Sequence, residues 1–281
     1  MKNKIKISKR LLAVVSMVNI GNRVADIGTD HGYVPISLIQ RGIAPFVIAM
    51  DIGKGPLERA KKNILENELT DKIEIRLSNG MMALSTREVD SILISGMGGE
   101  LIADILKAGS EILKDISELV LSPQSEIFKV RELIRENRFT IDKEMTVYDE
   151  GKYYTVIHAV RGNESSYTKA ETIYGKPKLN CTPEIMHRYL QKEIKHYKTI
   201  IERIQRECLL EREEGNIHRK IDSNEINYIG TANKENNIIN QVNSISGEQN
   251  GEKINKKLYT QKRIIEIQEK LSLIKEIYNE I

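Results

Sequence analysis

Arg23-Val24-Ala25-Asp26-Ile27-Gly28, continuing into Thr29-Asp30-His31-Gly32-Tyr33-Val34-Pro35, reads as a short buried strand that runs into an acidic glycine turn. A helix from Gly32 to Gln40 follows. A short apolar run bounded by turn residues suits a strand covered on both faces. Outward from this stretch the same alternation repeats. Phe46 to Asp51 is a second buried strand ending on a carboxylate, and Leu57 to Glu68 is an amphipathic helix. Ile73 to Leu77 alternates as a strand, and Asp90 to Ser95 is a fourth, running into Gly-Met-Gly-Gly and a helix from Glu100 to about Leu113. Leu119 to Ser122 is a fifth strand, followed by a helix from Glu126 to Asn137. Strands alternating with helices predict an α/β domain with a mostly parallel sheet. Thr140 to Tyr148 and Tyr153 to Val160 are separated only by a turn at Glu150-Gly151, so the last strand should lie antiparallel.

Beyond Arg161 the pattern changes. Gly162 to Thr182 is polar, with Gly175 and Pro177, and reads as a linker. Pro183 suits the first position of a helix. Leu190, Ile194, Tyr197, Ile201, Ile204 and Cys208 then recur at alternating spacings of four and three. Ile264, Ile267, Leu271, Ile274 and Tyr278 repeat that spacing. Stripes of this kind are coiled-coil seams, and two of them joined by a connector fold most simply into an antiparallel hairpin. The expected domains are therefore 1–162, a linker 163–182, and a helical hairpin 183–281 built from 183–214 and 256–281. Between its helices lies an Asn-rich connector, 215–255.

The chain of 281 residues is 40% hydrophobic and 30% charged, enough apolar material for a packed core. No apolar run approaches the roughly 20 residues of a membrane span. Lys2, Lys4, Lys6, Lys9 and Arg10 precede the apolar stretch Leu11 to Val18, which imitates a secretory leader. The run meets Asn19-Ile20-Gly21 rather than a small-residue cleavage site. It reads instead as a first helix capped by Ser8 and stopped near Gly21. Cys181 and Cys208 are too few for a disulfide framework or a cysteine zinc site, and a cytoplasmic location with no metal is expected. The formal charge of +3 is unevenly spread. Residues 1–160 balance at 22 basic and 22 acidic, whereas 161–208 hold ten basic against six acidic.

Four loops can carry chemistry, all at one edge of the expected sheet. In open parallel sheets, ligands bind at the carboxyl ends of the strands. The first loop is Asp26 to Gly32, where Gly28 permits a sharp turn and Gly32 a close helix start. The dinucleotide fingerprint Gly-x-Gly-x-x-Gly is absent, and Asp30 stands where a pyrophosphate would lie. A cationic or hydroxyl-bearing ligand fits better, with Asp26 and Asp30 holding an ammonium. The alternative is that Asp26 caps the turn. Asp51 is placed to accept two ribose hydroxyls, or else to cap the next helix. Ser78-Asn79-Gly80 offers a polar side chain to an adenine edge. Ser95-Gly96-Met97-Gly98-Gly99 forms the natural floor of a pocket around a reacting atom.

Together Ser8-Lys9-Arg10-Leu11, Val24 to Pro35 and Ser95 to Gly99 resemble the bacterial tRNA (adenine-22-N1)-methyltransferase family, within the class I S-adenosylmethionine-dependent methyltransferases. The resemblance is close over about residues 4–161, and the family also carries a C-terminal helical hairpin. It implies a Rossmann-like sheet, S-adenosyl-L-methionine as cofactor without metal, and tRNA as substrate. It implies cofactor contacts at Asp26, Gly28, Thr29, Asp30, His31, Gly32, Asp51, Ile52, Asn79, Gly80 and Ser95. The pocket floor would be Ser95, Gly96, Met97 and Gly98, with His31 positioning ligand or acting as acid or base. Asn79 departs from the acid common at its position, and the 215–255 connector is longer than usual. Lys4, Lys6, Lys9, Arg10, Lys192 and Lys195 are the candidates for RNA phosphates. No obligate protein partner is evident. Two other classes remain open: methylation of a small molecule or protein, and noncatalytic RNA binding beside a vestigial pocket.

Overall fold

The computed structural model describes residues 5–221 and 248–281, with side chains over 5–209 and 258–281. The first unit opens with α1 (Lys9–Met17), capped by the Ser8 hydroxyl, which accepts from the Leu11 amide at 3.3 Å. Strands β1 (Val24–Ile27), β2 (Val47–Asp51), β3 (Ile73–Leu77), β4 (Ser91–Ser95) and β5 (Glu118–Ser122) alternate with helices. These helices are α2 (Tyr33–Gln40), α3 (Lys54–Glu66), α4 (Gly99–Ala108), α5 (Ser110–Leu113) and α6 (Ile127–Glu136). The strands β6 (Phe139–Asp149) and β7 (Lys152–Arg161) close a seven-stranded sheet of order β3-β2-β1-β4-β5-β7-β6. β7 runs antiparallel to both neighbours, and the other pairings are parallel. This is the mostly parallel sheet expected from the alternation, with the Rossmann-like order that the resemblance implies.

The strands are apolar throughout because both faces are covered. Val24, Val47, Ala49, Leu93 and Val120 pack beneath α1, α2 and α3. Ala25, Ile27, Ile48, Met50, Ile92, Ile94, Leu119 and Leu121 pack against α4, α5 and α6. Fully burying one Val, Leu or Ile contributes about 1.5–3 kcal/mol, so these two layers dominate the stability. The tight β6–β7 turn uses Glu150 and Gly151, both at positive φ, as a two-residue hairpin of matching twist requires. α3 starts at Lys54, three residues before the expected Leu57. Gly53 is its N-cap, and Pro56 sits in the first turn, where no amide hydrogen is needed.

Residues 163–182, read as a linker, carry structure of their own. α7 (Lys169–Tyr174) starts with a capping box between Thr168 and Glu171, and a 3-10 turn spans Pro177–Leu179. The guanidinium of Arg131 and the carboxylate of Glu144, each about 1% exposed, form a two-pronged pair with bonds of 2.9 and 2.7 Å. Arg131 Nη1 also donates to the carbonyls of Thr172 (3.0 Å) and Ile173 (2.8 Å), fastening α7 to the sheet domain. Lys176 Nζ donates to Glu164 at 3.0 Å, and Thr182 Oγ1 to the Thr146 carbonyl at 2.7 Å. Periodicity cannot show such ties, since polar side chains far apart in sequence make them.

The last helices are α8 (Pro183–Ile221) and α9 (Glu248–Tyr278). α8 begins at Pro183 as expected. Both helices run into the stretch read as connector; the remainder of that connector lies outside the described residues, as does Lys4. The chain divides into two compact units, one running to Leu190 and including Glu276–Ile281, the other Gln191–Lys275. In the second unit Ile204, Ile267 and Leu271 are buried against Ile194, Tyr197, Ile201, Cys208 and Ile264. That is the helical seam read from the spacing. In the first unit Tyr278 stacks on His187 at 4.2 Å, and Ile277, not Tyr278, is the buried residue of the last turn.

Candidate active site

Strand register sets the site. Asp51 lies opposite Leu77, Ile27 opposite Met50 and Ile94, and Ser95 opposite Ser122, so the loops after these strands open at one edge. Asp26 is only 4% exposed. Its carboxyl is pushed up to about 7, chiefly by burial; the Thr29 hydroxyl eases it back and the neighbouring Asp51 charge adds to it. A buried carboxyl beside a second, half-buried one asks for a cation or for hydroxyl donors.

Gly28 turns at φ +83°, and a Cβ there would run into Met97 Cε. The methionine of the β4 loop therefore lies directly against the β1 turn, bringing the first and fourth loops together. Gly99 is needed for a different reason: a Cβ would strike the carbonyls of Ser125 and Glu126, where α4 begins against the loop before α6. The Gly99 amide donates to the Ser125 carbonyl at 2.9 Å. At Gly98 the nearest neighbour of an added Cβ would be Ser125 Oγ at 3.0 Å. Gly96 follows Ser95 at positive φ and donates its amide to the Ser122 carbonyl at 3.2 Å.

Some of the expected residues have partners within the protein. Asp30 accepts from Arg59 Nη2 of α3 at 2.8 Å, so its charge is answered outside the loop. Asp30 thus has a partner within the protein, while the Asp51 charge lies near enough to Asp26 to raise its carboxyl. His31 adopts φ +62°, uncommon for a residue with a Cβ. Its ring stacks on Tyr33 at 5.2 Å and 9°, and its carbonyl accepts from Asn63 at 2.8 Å. Arg59 and Asn63 thus brace the loop from α3; no signal in the sequence pointed to either.

Asp51 Oδ1 accepts from the Gly53 amide at 2.7 Å. Asp51 therefore caps its turn through one carboxylate oxygen. Ile52 beside it is 71% exposed, an apolar surface at the same strand edge. Asn79 and Gly80 open on a pocket of about 340 Å³ lined also by Met81, Met82, Leu101, Asp104 and Ile105. A larger cavity of about 420 Å³ lies elsewhere, between α1, β6 and the start of α8. Of the basic candidates, Lys6 and Lys9 are exposed in the first unit, and Lys192 and Lys195 in the second. Arg10 is different: its guanidinium turns inward beside Gly96 and Tyr154.

The chain belongs to the methyltransferase-domain family, whose model matches residues 7–157. A curated tRNA (adenine(22)-N(1))-methyltransferase from Bacillus subtilis is 35% identical over 164 residues, 58% of this chain and 69% of that protein. Within methyltransferases, this chain is a member of that tRNA (adenine-22-N1)-methyltransferase family. A Streptococcus pneumoniae structure determined with S-adenosyl-L-methionine is 32% identical, with a TM-score of 0.64 over 73% of this chain and 95% of that one. Mycoplasma capricolum TrmK, determined with S-adenosyl-homocysteine, is 25% identical, with a TM-score of 0.64 over 95% and 99%.

Asp51→Asn should keep the turn, since an amide oxygen still accepts from Gly53, and remove the charge. S-adenosylhomocysteine binding is expected to weaken by about 1.5–3 kcal/mol, the range for hydrogen bonds to charged groups. Calorimetry on a folded variant with unchanged affinity would reduce Asp51 to a cap.

Proposed function

We propose that this protein transfers a methyl group from S-adenosyl-L-methionine to N1 of adenosine 22 in tRNA. One observation carries the reading: the buried Asp26 and the Asp51 carboxylate share one strand edge with the two glycine loops, in a chain of that family.

The residues fit the cofactor. Its ammonium suits the Asp26 carboxylate, its ribose diol the Asp51 carboxylate, and its adenine the Ile52 surface and the Asn79 amide. Gly28 lets Met97 of the β4 loop close against the β1 turn, where any larger residue would meet it. When bound, the cofactor supplies a methyl group activated by a sulfonium.

The chain must then present adenine N1 to that methyl. Neutral adenine has a free lone pair at N1, so no strong base is needed. Ser95, Gly96, Met97 and Gly98 form the floor on which the base lies, and alignment alone can supply about 7–11 kcal/mol. The methylated ring is cationic, so the carboxylates at this edge favour it electrostatically. His31, stacked on Tyr33 at the rim, positions ligand.

Residues 1–162 carry the methyl transfer, and the hairpin from 183 to 281 captures RNA through Lys192 and Lys195. Lys6 and Lys9 supply further phosphate contacts. The protein acts in the cytoplasm, where tRNA is processed, without an obligate protein partner. Among the described residues no helix is long and apolar enough to cross a membrane. Incubation with bulk tRNA and labelled methyl donor, followed by nucleoside mass spectrometry, should yield 1-methyladenosine on folded tRNA and almost none on free adenosine. Extruding a base costs a few kcal/mol, which contacts to folded RNA must offset. Label at N6, or equal rates on free adenosine, would overturn this assignment.

A further inference from the structure

The loop after β5, Pro123 to Glu126, is tied to the pocket floor through its backbone. The Gly96 amide donates to the Ser122 carbonyl at 3.2 Å, the Gln124 amide to the Met97 carbonyl at 2.9 Å, and the Gly99 amide to the Ser125 carbonyl at 2.9 Å. These bonds fix where the Gln124 side chain begins. Its Nε2 lies 3.9 Å from where a Cβ on Gly96 would stand, so the amide borders the floor. Gln124 is exposed, and among the described residues its side-chain amide has no hydrogen-bond partner. A ligand therefore has room beside it. Sheet order also sets it apart from the cofactor loops. Asp26, Asp51 and Asn79 belong to β1, β2 and the loop after β3, all on one side of β4, whereas Gln124 follows β5 on the other side.

Resting on the reading of this site as one that methylates adenine N1, we propose that Gln124 reads the target base, pairing with its N6 and N7 edge. N1 must stay free to meet the methyl group, so a residue that identifies the base has to use another edge. On that edge adenine sets an acceptor, N7, beside a donor, the N6 amino group. An amide answers both at once: its nitrogen donates to N7 and its oxygen accepts from N6. Guanine sets two acceptors there, O6 and N7, so the same amide would bring its oxygen against O6. Gln124 is thus a specificity-determining residue. It meets the base from the side of β4 that the cofactor loops leave open.

The test pairs two tRNAs with two variants. The tRNAs, joined from synthetic halves, carry adenosine or 7-deazaadenosine at position 22; the second has C–H in place of the N7 acceptor. On adenosine, Gln124→Glu should lower kcat/KM about 5- to 150-fold, the range for a bidentate amide–base pair, because a carboxylate accepts from N6 but repels N7. On 7-deazaadenosine that repulsion is gone, and the loss relative to the unmodified protein should largely disappear. Comparing proteins on one substrate cancels any change in N1 basicity that the altered ring brings. Gln124→Ala should show the same pattern at smaller size, and it keeps the test decisive if the added charge disturbs the fold. Calorimetry with S-adenosylhomocysteine should give unchanged affinity for both variants, which also shows that they are folded. Unchanged kcat/KM on adenosine, equal losses on the two tRNAs, or weakened S-adenosylhomocysteine binding would each overturn the proposal. Failure of the unmodified protein to methylate the adenosine tRNA would instead bring down the reading of the site itself.

Discussion

Cofactor affinity is expected to rise about tenfold per pH unit from pH 5 towards 7 and to level off above it, since one pKa unit corresponds to 1.36 kcal/mol. The cause is Asp26. In the empty protein burial pushes its carboxyl up to about 7, so below that pH it is mostly protonated and neutral. A ligand that brings an ammonium and a sulfonium prefers the carboxylate, and binding must first expel the proton. The sign follows: acid weakens binding, and the effect ends once Asp26 is ionised without help. Asp26→Asn should flatten the profile and hold affinity near its acid value. Calorimetry with S-adenosylmethionine between pH 5 and 9 measures both, and a wild-type affinity independent of pH would refute the role. The same residue has a converse effect on the fold. Its folded pKa lies above the ordinary 3.8, so the empty protein loses stability as pH rises from 3.8 towards 7. A ligand cation restores what is lost, which is how a binding site differs from a region selected for stability alone.

Arg131→Ala should destabilise the protein by about 3–5 kcal/mol, the cost of stranding one member of a buried ion pair. Glu144 would be left buried without its partner, and the carbonyls of Thr172 and Ile173 would lose their donor. Net stabilities of domains are roughly 5–15 kcal/mol, so this is a large fraction of the total. Urea unfolding of the variant measures it, and a loss below about 1 kcal/mol would show that the site relaxes or admits water. Replacing both residues by apolar ones of similar volume should cost far less, because no charge remains to be stranded. The same network decides where the chain can be cut. A chain ending at Gly162 loses Thr172, Ile173 and Lys176 and should unfold readily. One ending at Leu190 retains them, and should bind S-adenosylhomocysteine while losing affinity for tRNA.

Much of this was legible in the chain. Alternation of apolar runs with amphipathic stretches encodes which face of each element is buried, and burial is a local property of consecutive residues. The strands, the helices between them, the antiparallel β7, the Ser8 cap and the seam from Ile194 to Cys208 could all be read that way. So could the clustering of loops at one edge, because parallel strands bring all their carboxyl ends to the same side. Pairings between distant polar side chains obey no such period. The pairing of Asp30 with Arg59, on α3, has no counterpart in the sequence pattern. Arg10 was grouped with exposed lysines, yet its backbone is tied to Asp149, 139 positions away, and its head turns inward. The polar stretch from Gly162 to Thr182 looked like a linker because its composition hides Glu164, Lys176 and the carbonyls that meet Arg131. Hydrophobic patterning along the chain thus determines the elements and the faces they bury. Which charge answers which is settled only when the sheet has closed, since a salt bridge depends on distance in space and on the burial that sets its strength.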